Sequence, residues 1–362
     1  MKRALLTLAL LLSTVAVQAQ SLDPNAALKA YASKIMPRCA DPTVTFEAVP
    51  PPGPANFQMF TITVRSSDQY CGGRKYVLYS PKSQQVLIGS LIPIPKGTGA
   101  TTARVSQEAS RLLEKQVTAS IAPFPLADGI KATSIVRQTP YGAFGYNGFL
   151  DASEQYLIVG FRGTLTTDPT KGLRETLGAT TGARRGNAAS KVEIVEVSDF
   201  QCPTCARAHE KIEPLIQKHL GKLNYVRIDL PLFEHHEWSI PAAMGARALQ
   251  RVAPDKYWQY VDYIFKNQEA IGKQKIDDVI RNWVTDNDVD WTAFQKVYAS
   301  KAERQTLLDQ VSRAFAVGVA STPTFLVNGQ IMGFGPDGAF TMEAISKAIG
   351  VPVPAAPKKT TK

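Results

Sequence analysis

Four cysteines occur in the 362-residue chain, and two of them stand in the sequence Cys202-Pro203-Thr204-Cys205. A bond between two cysteines this close encloses almost no loop, so it would add little to stability. We therefore expect the pair to serve chemistry, as two thiols that pass between the dithiol and the disulfide state. Zinc binding is the alternative, with His209 as a third ligand, but no fourth ligand is evident. We expect neither a metal nor another cofactor.

The residues around this pair predict the elements that must position it. A run of mostly β-branched and apolar residues at 192–197 is typical of a strand buried on both faces. After a short turn, Cys202 opens a helix that reaches about His219, and Pro203 occupies the first helical position, where its missing N–H costs nothing. A second strand at 223–230 completes a β-α-β unit.

This placement predicts a role for each thiol. A sulfur at a helix N-terminus faces free backbone N–H groups, which stabilise its thiolate, so Cys202 should be the exposed, attacking thiol. Cys205, one turn deeper, should attack the mixed disulfide and release the substrate. Glu196 lies in the strand below the helix start, where it could carry the proton of Cys205. A surface position for Glu196 is the alternative, but its neighbours are apolar. If it is poorly solvated, replacing it with Gln should not lower stability.

The other two cysteines, Cys39 and Cys71, lie far apart in the N-terminal half. In an oxidising compartment, a distant pair within one small domain indicates a structural disulfide. On the chain-entropy description of loop closure, such a bond stabilises a fold by about 3–4 kcal/mol.

The N-terminus has the features of a secretory signal peptide over residues 1–19. Lys2 and Arg3 precede an apolar run at 4–17, and Val17-Gln18-Ala19 provides the small-x-small cleavage pattern. The run is shorter than the roughly 20 residues of a membrane-spanning helix, which disfavours an uncleaved anchor. We therefore expect the mature chain in the periplasm or another extracytoplasmic space.

Composition narrows the class of protein. Hydrophobic residues make up 44% of the chain, which suits a globular fold, and the formal net charge is +10. The basic residues are spread along the chain, and no basic patch with interleaved aromatic residues is present, so we expect no nucleic-acid partner. His235 and His236, near the end of the second strand, are interpreted as solvated loop residues.

The N-terminal half contains two copies of one α+β pattern, at 20–100 and 101–178. Each copy has an apolar-periodic helix followed by strand-like segments, and Gln85–Gly89 in the first corresponds to Gln155–Gly160 in the second. Chance similarity between two generic α+β stretches is the alternative. The predicted helices cover 28–35 and 105–121.

The remaining boundaries follow from composition. A small, polar segment at 179–190 predicts a flexible linker. Residues 191–350 should form a second domain, with a helical segment at about 238–317. The Pro/Ala/Lys-rich segment 351–362 predicts a disordered tail.

Two motifs in the second domain resemble the DsbA-like thiol–disulfide oxidoreductases of the thioredoxin superfamily. The segment Asp199-Phe200-Gln201-Cys202-Pro203-Thr204-Cys205 looks like the active-site segment of that family. Val319–Gly329, which contains Ser321-Thr322-Pro323-Thr324, is similar to its cis-proline loop. The helical segment between them corresponds to the family's helical insertion. The resemblance covers about residues 190–350 and implies an α/β thioredoxin-like fold with that insertion.

The resemblance also implies roles for individual residues. Pro323 would be cis, and Thr322 would present its backbone to a bound substrate strand, so that these two residues with Pro203 and Thr204 form the substrate-binding surface. Glu196 matches the family's buried acid. The central dipeptide departs from the family patterns, because Pro-Thr is neither the Pro-His of strongly oxidising members nor the Gly-Tyr of isomerases. Thr204 could donate to the Cys202 thiolate.

The N-terminal half has its own, looser resemblance. Val77–Gly89 is similar to part of the small cystatin-like sheet domain that precedes the thioredoxin domain in DsbC/DsbG-type isomerases. In those proteins the domain mediates dimerisation and holds unfolded substrates. Two cystatin-like repeats in one chain would resemble such a dimer, so a homodimer and an intrachain pseudo-dimer are both left open.

These observations together predict an exported thiol–disulfide oxidoreductase that exchanges disulfides with unfolded or thiol-containing protein substrates through Cys202 and Cys205. A membrane redox partner, which the sequence does not identify, is implied. Two alternatives are open: an isomerase or reductase of the DsbC/DsbG type rather than an oxidase, and a non-catalytic substrate-binding or chaperone module. The intact cysteine pair argues against the second, because no structural need explains it.

Overall fold

The computed structural model describes residues 24–68, 71–334 and 338–353. The predicted signal peptide, and all of the predicted tail beyond residue 353, lie outside these described residues. No helix in the described ranges combines the length and the apolar character needed to cross a bilayer.

Each copy of the predicted repeat begins with a helix and continues with four strands. The first copy consists of α1 (Pro24–Ser33), β1 (Thr43–Ala48), β2 (Gln58–Arg65), β3 (Gly73–Tyr79) and β4 (Gln85–Pro93). The second consists of α2 (Thr101–Leu113), β5 (Thr118–Ile121), β6 (Lys131–Thr139), β7 (Gly142–Leu150) and β8 (Tyr156–Thr164). The order of elements is therefore the same in both copies.

All eight strands join in one antiparallel sheet with the order β1-β2-β3-β4-β8-β7-β6-β5. The two copies meet along β4 and β8, which are equivalent strands and pair over their whole length. At the centre of this pairing Gly89 faces Gly160, and a Cβ added to either would lie 2.6 Å from the Cα of the other. Glycine is required at both positions because the backbones approach so closely. Antiparallel pairing of equivalent strands is the arrangement that a two-fold axis would produce from two separate copies.

The helix predicted over 105–121 is wrong in its second half. Helix α2 ends before Glu114, which has a φ of 51° and adopts the left-handed conformation. The chain then turns back into β5, and the hydroxyl of Ser110 accepts a hydrogen bond from the Val117 backbone N–H at 3.1 Å. β5 pairs with β6 at the edge of the sheet, so sheet pairing has overridden the helical pattern there.

The C-terminal half is an α/β domain with the predicted thioredoxin-like fold. Its strands are β9 (Ala183–Gly186), β10 (Glu193–Ser198), β11 (Asn224–Asp229), β12 (Thr324–Val327) and β13 (Gln330–Met332). Helix α3 (Pro169–Leu177) connects the second repeat to this domain. The helices of the domain are α4 (Pro203–Lys218), α5 (Ser239–Val252), α6 (Tyr257–Lys266), α7 (Gln268–Ile271), α8 (Ile276–Asp286), α9 (Trp291–Tyr298), α10 (Lys301–Ala316) and α11 (Ala339–Ile349). The strand order is β13-β12-β10-β11-β9, and the central pair β10 and β11 is parallel.

The segment 179–190 differs from the flexible linker that its composition predicts. It contains β9, which pairs antiparallel with β11 and forms an edge of the sheet. Arg185 forms an ion pair with Glu213 of α4 and lies 4.0 Å from the ring centre of Trp258. The small residues fold here because the edge of β11 offers unpaired backbone groups, a tertiary contact that composition does not reveal.

The two halves pack directly against each other. The Arg38 backbone N–H donates to the Ile331 carbonyl at 2.9 Å, and the Gly333 N–H donates to the Arg38 carbonyl at 2.8 Å, so this segment extends the sheet beyond β13. On another face, α10 packs on β7, where the Gln305 amide bonds both the N–H and the carbonyl of Ala143. One apolar cluster contains residues from both halves.

Candidate active site

Cys202 stands at the N-terminal cap of α4, and Pro203 and Thr204 begin the helix, as the sequence predicts. A hydrogen bond from the Cys205 thiol lowers the pKa of Cys202 to about 6, with further contributions from the Thr322 side chain and from the backbone N–H groups of Cys205 and Thr204. The free N–H groups at a helix start are the physical cause of part of this shift. The Thr204 hydroxyl accepts a hydrogen bond from Arg207 at 2.8 Å, so the contribution of Thr204 comes from its backbone.

The exposure of Cys202 differs from the prediction. Only 6% of the residue is accessible, although we expected an exposed thiol. The helical insertion causes this enclosure, because Cys202 belongs to the same apolar cluster as Trp238 and Met244 of that region. Its sulfur lies 3.5 Å from the Thr322 carbonyl oxygen.

Cys205 is fully buried one turn further along α4. Burial raises the pKa of Cys205 well above its ordinary value, and the neighbouring Cys202 raises it further. The Asp199 backbone N–H donates to the Cys205 sulfur at 3.5 Å. The two sulfurs are therefore unequal: Cys202 is a thiolate near neutral pH, and Cys205 holds its proton.

Glu196 is buried in β10, as predicted, but it is not an isolated acid. Arg227 of the neighbouring strand donates to one carboxylate oxygen at 3.1 Å, and the Tyr225 hydroxyl donates to the other. Burial by itself would raise the pKa of Glu196, but the Arg227 charge and the Tyr225 hydrogen bond hold that pKa below its ordinary value. Because the carboxylate neutralises a buried guanidinium, we now expect Glu196→Gln to lower stability, in contrast to the expectation from the sequence.

Arg227 and Asp229 complete this buried charge cluster, and sequence reasoning missed both. Arg227 is fully buried between the two carboxylates, with its Nε 3.2 Å from Asp229. Burial raises the pKa of Asp229. A signal was present in the sequence, since two charged residues interrupt an otherwise apolar strand.

Asp199 and His236 form a second polar pair beside the cysteines. The buried Asp199 carboxylate accepts hydrogen bonds from the Leu232 and Gln201 backbone N–H groups and lies 2.7 Å from Nδ1 of His236. The hydrogen bond to Asp199 raises the pKa of His236. His236 is therefore fixed next to the active-site turn rather than freely solvated, as its sequence context had suggested.

Two glutamines attach the helical insertion to the active-site turn, and the sequence did not single them out. Gln268 donates to the carbonyl oxygens of Phe200 and Cys202 at 2.7 and 3.1 Å. The side-chain oxygen of Gln201 accepts from the Trp238 N–H at 2.6 Å. These contacts hold the cap of α4 from the side of the insertion.

The loop before β12 closes the site. The peptide bond between Thr322 and Pro323 is cis, and β12 pairs antiparallel with β10, which carries Glu196. Pairing of these strands places Pro323 and Thr322 beside Cys202 although 120 residues separate Thr322 from that cysteine.

Cys39 and Cys71 form the predicted disulfide, and His209, the third zinc ligand considered above, has a carboxylate partner. Cys39 and Cys71 are bonded to each other, both buried, and Cys71 packs against the backbone of Gly333. Nε2 of His209 lies 2.7 Å from the Asp262 carboxylate. Within the described ranges no group of three or more His, Cys, Asp or Glu side chains could hold a metal ion.

Known proteins resemble part of this chain. A family profile described as Thioredoxin matches residues 179–350. The chain is 28% identical over 165 residues to the Na(+)/H(+) antiporter NhaA 3 of Salinispora tropica, covering 46% of this chain and 24% of that protein. It is 27% identical over 170 residues to the "Probable disulfide bond formation protein D" of Bacillus cereus, covering 45% of this chain and 77% of that one. The chain thus spans about a quarter of the length of the first curated relatives it matches.

Among solved structures, the thiol-disulfide exchange protein alpha-DsbA2 from Wolbachia pipientis is 20% identical, with a TM-score of 0.42, and the match covers 49% of this chain and 95% of that one. The region matched by the family profile includes the cysteine pair, Glu196 and the cis Pro323. Residues 179–350 therefore match the Thioredoxin family profile, and this part of the chain is similar to the disulfide bond formation protein D of Bacillus cereus.

Proposed function

We propose that the protein is an exported thiol–disulfide oxidoreductase that transfers the Cys202–Cys205 disulfide to protein thiols. The observation that carries this proposal is the inequality of the two sulfurs: Cys202 caps the N-terminus of α4, whereas Cys205 is fully buried one turn deeper. The hydrogen bond from Cys205 lowers the pKa of Cys202 to about 6, and burial raises the pKa of Cys205 well above its ordinary value. A thiol with a low pKa is a good leaving group, which favours a site that gives its disulfide away.

The reaction has two steps. In the first, a substrate thiolate attacks the Cys202 sulfur of the disulfide, a mixed disulfide forms, and Cys205 leaves as a thiolate that takes up a proton. In the second, another substrate thiolate attacks the substrate sulfur of the mixed disulfide, and Cys202 leaves as a thiolate. The substrate loses two electrons and gains a disulfide, and the protein is reduced to the dithiol.

In this proposal, the negative charge of Glu196 assists the transfer of the proton at Cys205. It lies on β10, and the Cys205 sulfur is held by the N–H of Asp199, immediately beyond the end of that strand. Because Arg227 and Tyr225 keep the carboxylate ionised, it acts by its negative charge and as a weak base rather than as a reservoir of protons. Thr322, Pro323, Pro203 and Thr204 are proposed to contact the substrate strand.

Export is supported by the bonded pair Cys39 and Cys71, since structural disulfides persist in oxidising compartments. We also propose that the duplicated N-terminal half takes the place of a dimerisation domain within one chain. The pairing of the equivalent strands β4 and β8 supports an intrachain pseudo-dimer, because the edge that would join two copies is already occupied.

The deciding experiment follows the alkylation of the reduced protein as a function of pH. The rate at Cys202 should rise with pH and reach half its maximum near pH 6, while Cys205 stays unmodified. The Cys205→Ser variant is the matched control for assigning the reactive sulfur. Equal alkylation at both sulfurs would contradict the proposed roles.

The reduction potential of the Cys202–Cys205 pair, measured against glutathione, tests the direction of electron flow. A value more oxidising than the glutathione couple supports donation of the disulfide. A value near that of thioredoxin, about −270 mV, would instead support the reductase alternative.

A further inference from the structure

The loop that carries Thr322 lines a cleft beside the redox site. Part of the lining of this cleft comes from the N-terminal half. A cleft of about 520 Å³ runs between the two halves. Pro323 and Thr322 line one side with Thr204 of α4, and the opposite side comes from the first repeat, at 35–37 and 72–75. A substrate strand that binds along Thr322 and Pro323 would therefore lie between the two halves.

The repeat is held at this place by specific contacts. The Arg38 segment extends the sheet at β13, and the side-chain amide of Gln330 donates to the Met36 carbonyl at 2.9 Å. The disulfide links residue 39 to residue 71, so it ties together the two segments that form this side of the cleft. Cys71 also packs on Gly333, which belongs to the other side of the cleft.

The charges that line the cleft have one sign. Arg74 and Lys75 come from the first repeat and Arg207 comes from α4, and the described lining residues include no carboxylate. None of the three pairs with a carboxylate in the described part of the chain: Arg74 lies over the ring of Tyr76, and Arg207 donates to Thr204. Arg74 and Arg207 are exposed and Lys75 is partly buried, so the lining of the cleft presents positive charge that would attract an anionic group.

Lys75 is the least exposed of these three cations. Lys75 is partly buried, and its ammonium donates to the Val317 carbonyl oxygen at 3.4 Å. Burial lowers the pKa of Lys75 to about 8. A carboxylate arriving in the cleft would neutralise this charge and restore part of the solvation that burial has removed.

We infer that this cleft binds an extended segment of the protein substrate that carries Asp or Glu beside its reactive cysteine. Arg74 and Arg207 determine this preference from opposite sides of the cleft. The inference rests on the proposed function and adds to it a class of substrate sequence. The chain's own C-terminal segment does not fit as the occupant, because residues 354–362 carry three lysines and no acid.

Binding of two labelled peptides tests this inference without redox chemistry. The peptides are identical except that one carries Glu and the other Lys on each side of a central Ser that replaces Cys. At low ionic strength, fluorescence anisotropy should show the Glu peptide binding about fivefold more tightly than the Lys peptide, a ratio typical of ion pairs at partly exposed positions. The ratio should fall toward one as salt is raised to about 0.15 M and beyond.

Charge-reversed variants locate the effect. Arg74→Glu and Arg207→Glu, singly and together, should abolish or invert the preference, and the milder Arg74→Gln and Arg207→Gln should reduce it. Lys115→Glu makes the same change of charge at an exposed position of the second repeat and should preserve the ratio. Equal binding of the two peptides by the parent protein, or an equal effect of Lys115→Glu, would overturn the inference.

The proposed function is tested separately by exchange with an uncharged cysteine peptide. If that exchange fails while the Glu preference persists, the redox proposal is wrong and the cleft assignment stands. If exchange occurs without any charge preference in binding, the cleft assignment is wrong and the redox proposal stands.

Discussion

Asp151 in the N-terminal half and Glu196 in the C-terminal half are both buried carboxylates, but different groups surround them. Asp151 accepts hydrogen bonds from backbone N–H groups of its own turn and of a neighbouring loop, at 2.9 to 3.1 Å, donated by Ala55, Ser153, Gln155 and Tyr156. Glu196 instead faces the buried guanidinium of Arg227 and the hydroxyl of Tyr225.

Asp151 therefore has a structural role, whereas Glu196 belongs to the site that we propose to be catalytic. Asp151 organises the connection between β7 and β8, and dipoles of the chain itself satisfy it. Glu196 is one member of a buried cluster that also contains Arg227 and Asp229. Buried ion pairs contribute little net stability relative to an apolar core, so this cluster is compatible with the role in proton transfer that we propose for Glu196.

The largest effects are expected from replacing cysteines, and the two pairs should differ: one replacement should act on exchange and the other on stability. Cys202→Ser should lower the rate of exchange with a peptide disulfide by at least about a thousandfold, because the attacking sulfur is removed. In Cys205→Ser, attack should persist and mixed disulfides should accumulate on Cys202. Single-turnover kinetics with mass spectrometry of trapped adducts measures both. Substantial exchange in Cys202→Ser would disprove the assignment of the nucleophile.

Removal of the other pair should act on stability. The double variant Cys39→Ala/Cys71→Ala should lose about 3–4 kcal/mol of the free energy of unfolding, since a loop spanning a separation of 32 residues is no longer closed. Chemical denaturation measures this loss. In strong reductant the parent protein should fall to the level of the variant, and mild reductant should open the Cys202–Cys205 bond first. Preferential reduction of Cys39–Cys71 would contradict this order.

The two buried acids should respond differently to amide replacement. Glu196→Gln should cost about 3 kcal/mol, because the Arg227 charge keeps only Asp229 as a counter-charge. Asp151→Asn should cost about 2 kcal/mol, from weakened hydrogen bonds alone. Only Glu196→Gln should slow the release of the mixed disulfide. Equal release rates in Glu196→Gln and the parent would exclude a role for the carboxylate in proton transfer.

The stability lost in Glu196→Gln should depend on pH in a defined direction. Since the pKa of Glu196 is lowered in the folded state, its contribution to stability is present above the unfolded value, about 4.3, and is lost as pH falls through the folded pKa. The difference in unfolding free energy between the parent and Glu196→Gln should therefore shrink in acid.

The smallest effect is expected at His236. Because its pKa is raised in the folded state, its ion pair with Asp199 stabilises the protein below about pH 6.5 and the stabilisation is lost as pH rises through the folded pKa. His236→Gln should cost less than about 1 kcal/mol at pH 5.5, as expected for a partly exposed pair, and less at pH 8. His235→Gln, at an exposed neighbouring position, is the control. An equal loss at both pH values would contradict the ion pair.

Local sequence predicted much of the C-terminal site. The β-branched run before the cysteines, Pro203 at the first helical position and the pattern of the insertion indicated β10, α4 and the helices that follow. The same reasoning failed at β9, where the segment 179–190 looked flexible. Its order depends on the unpaired edge of β11, and no pattern within the segment records that edge.

The sequence by itself therefore determined which atoms can react, because a thiol pair of this spacing at the start of a helix has few other uses. It also determined the repeated order of helix and strands in the N-terminal half. Only the tertiary structure decided the ionisation of Glu196, which depends on Arg227 from another strand, and the enclosure of Cys202 by the insertion. Only the tertiary structure brought Arg74 and Arg207 to the lining of one cleft. Electrostatic and burial energies depend on distances through space, and those distances join residues that the chain separates widely.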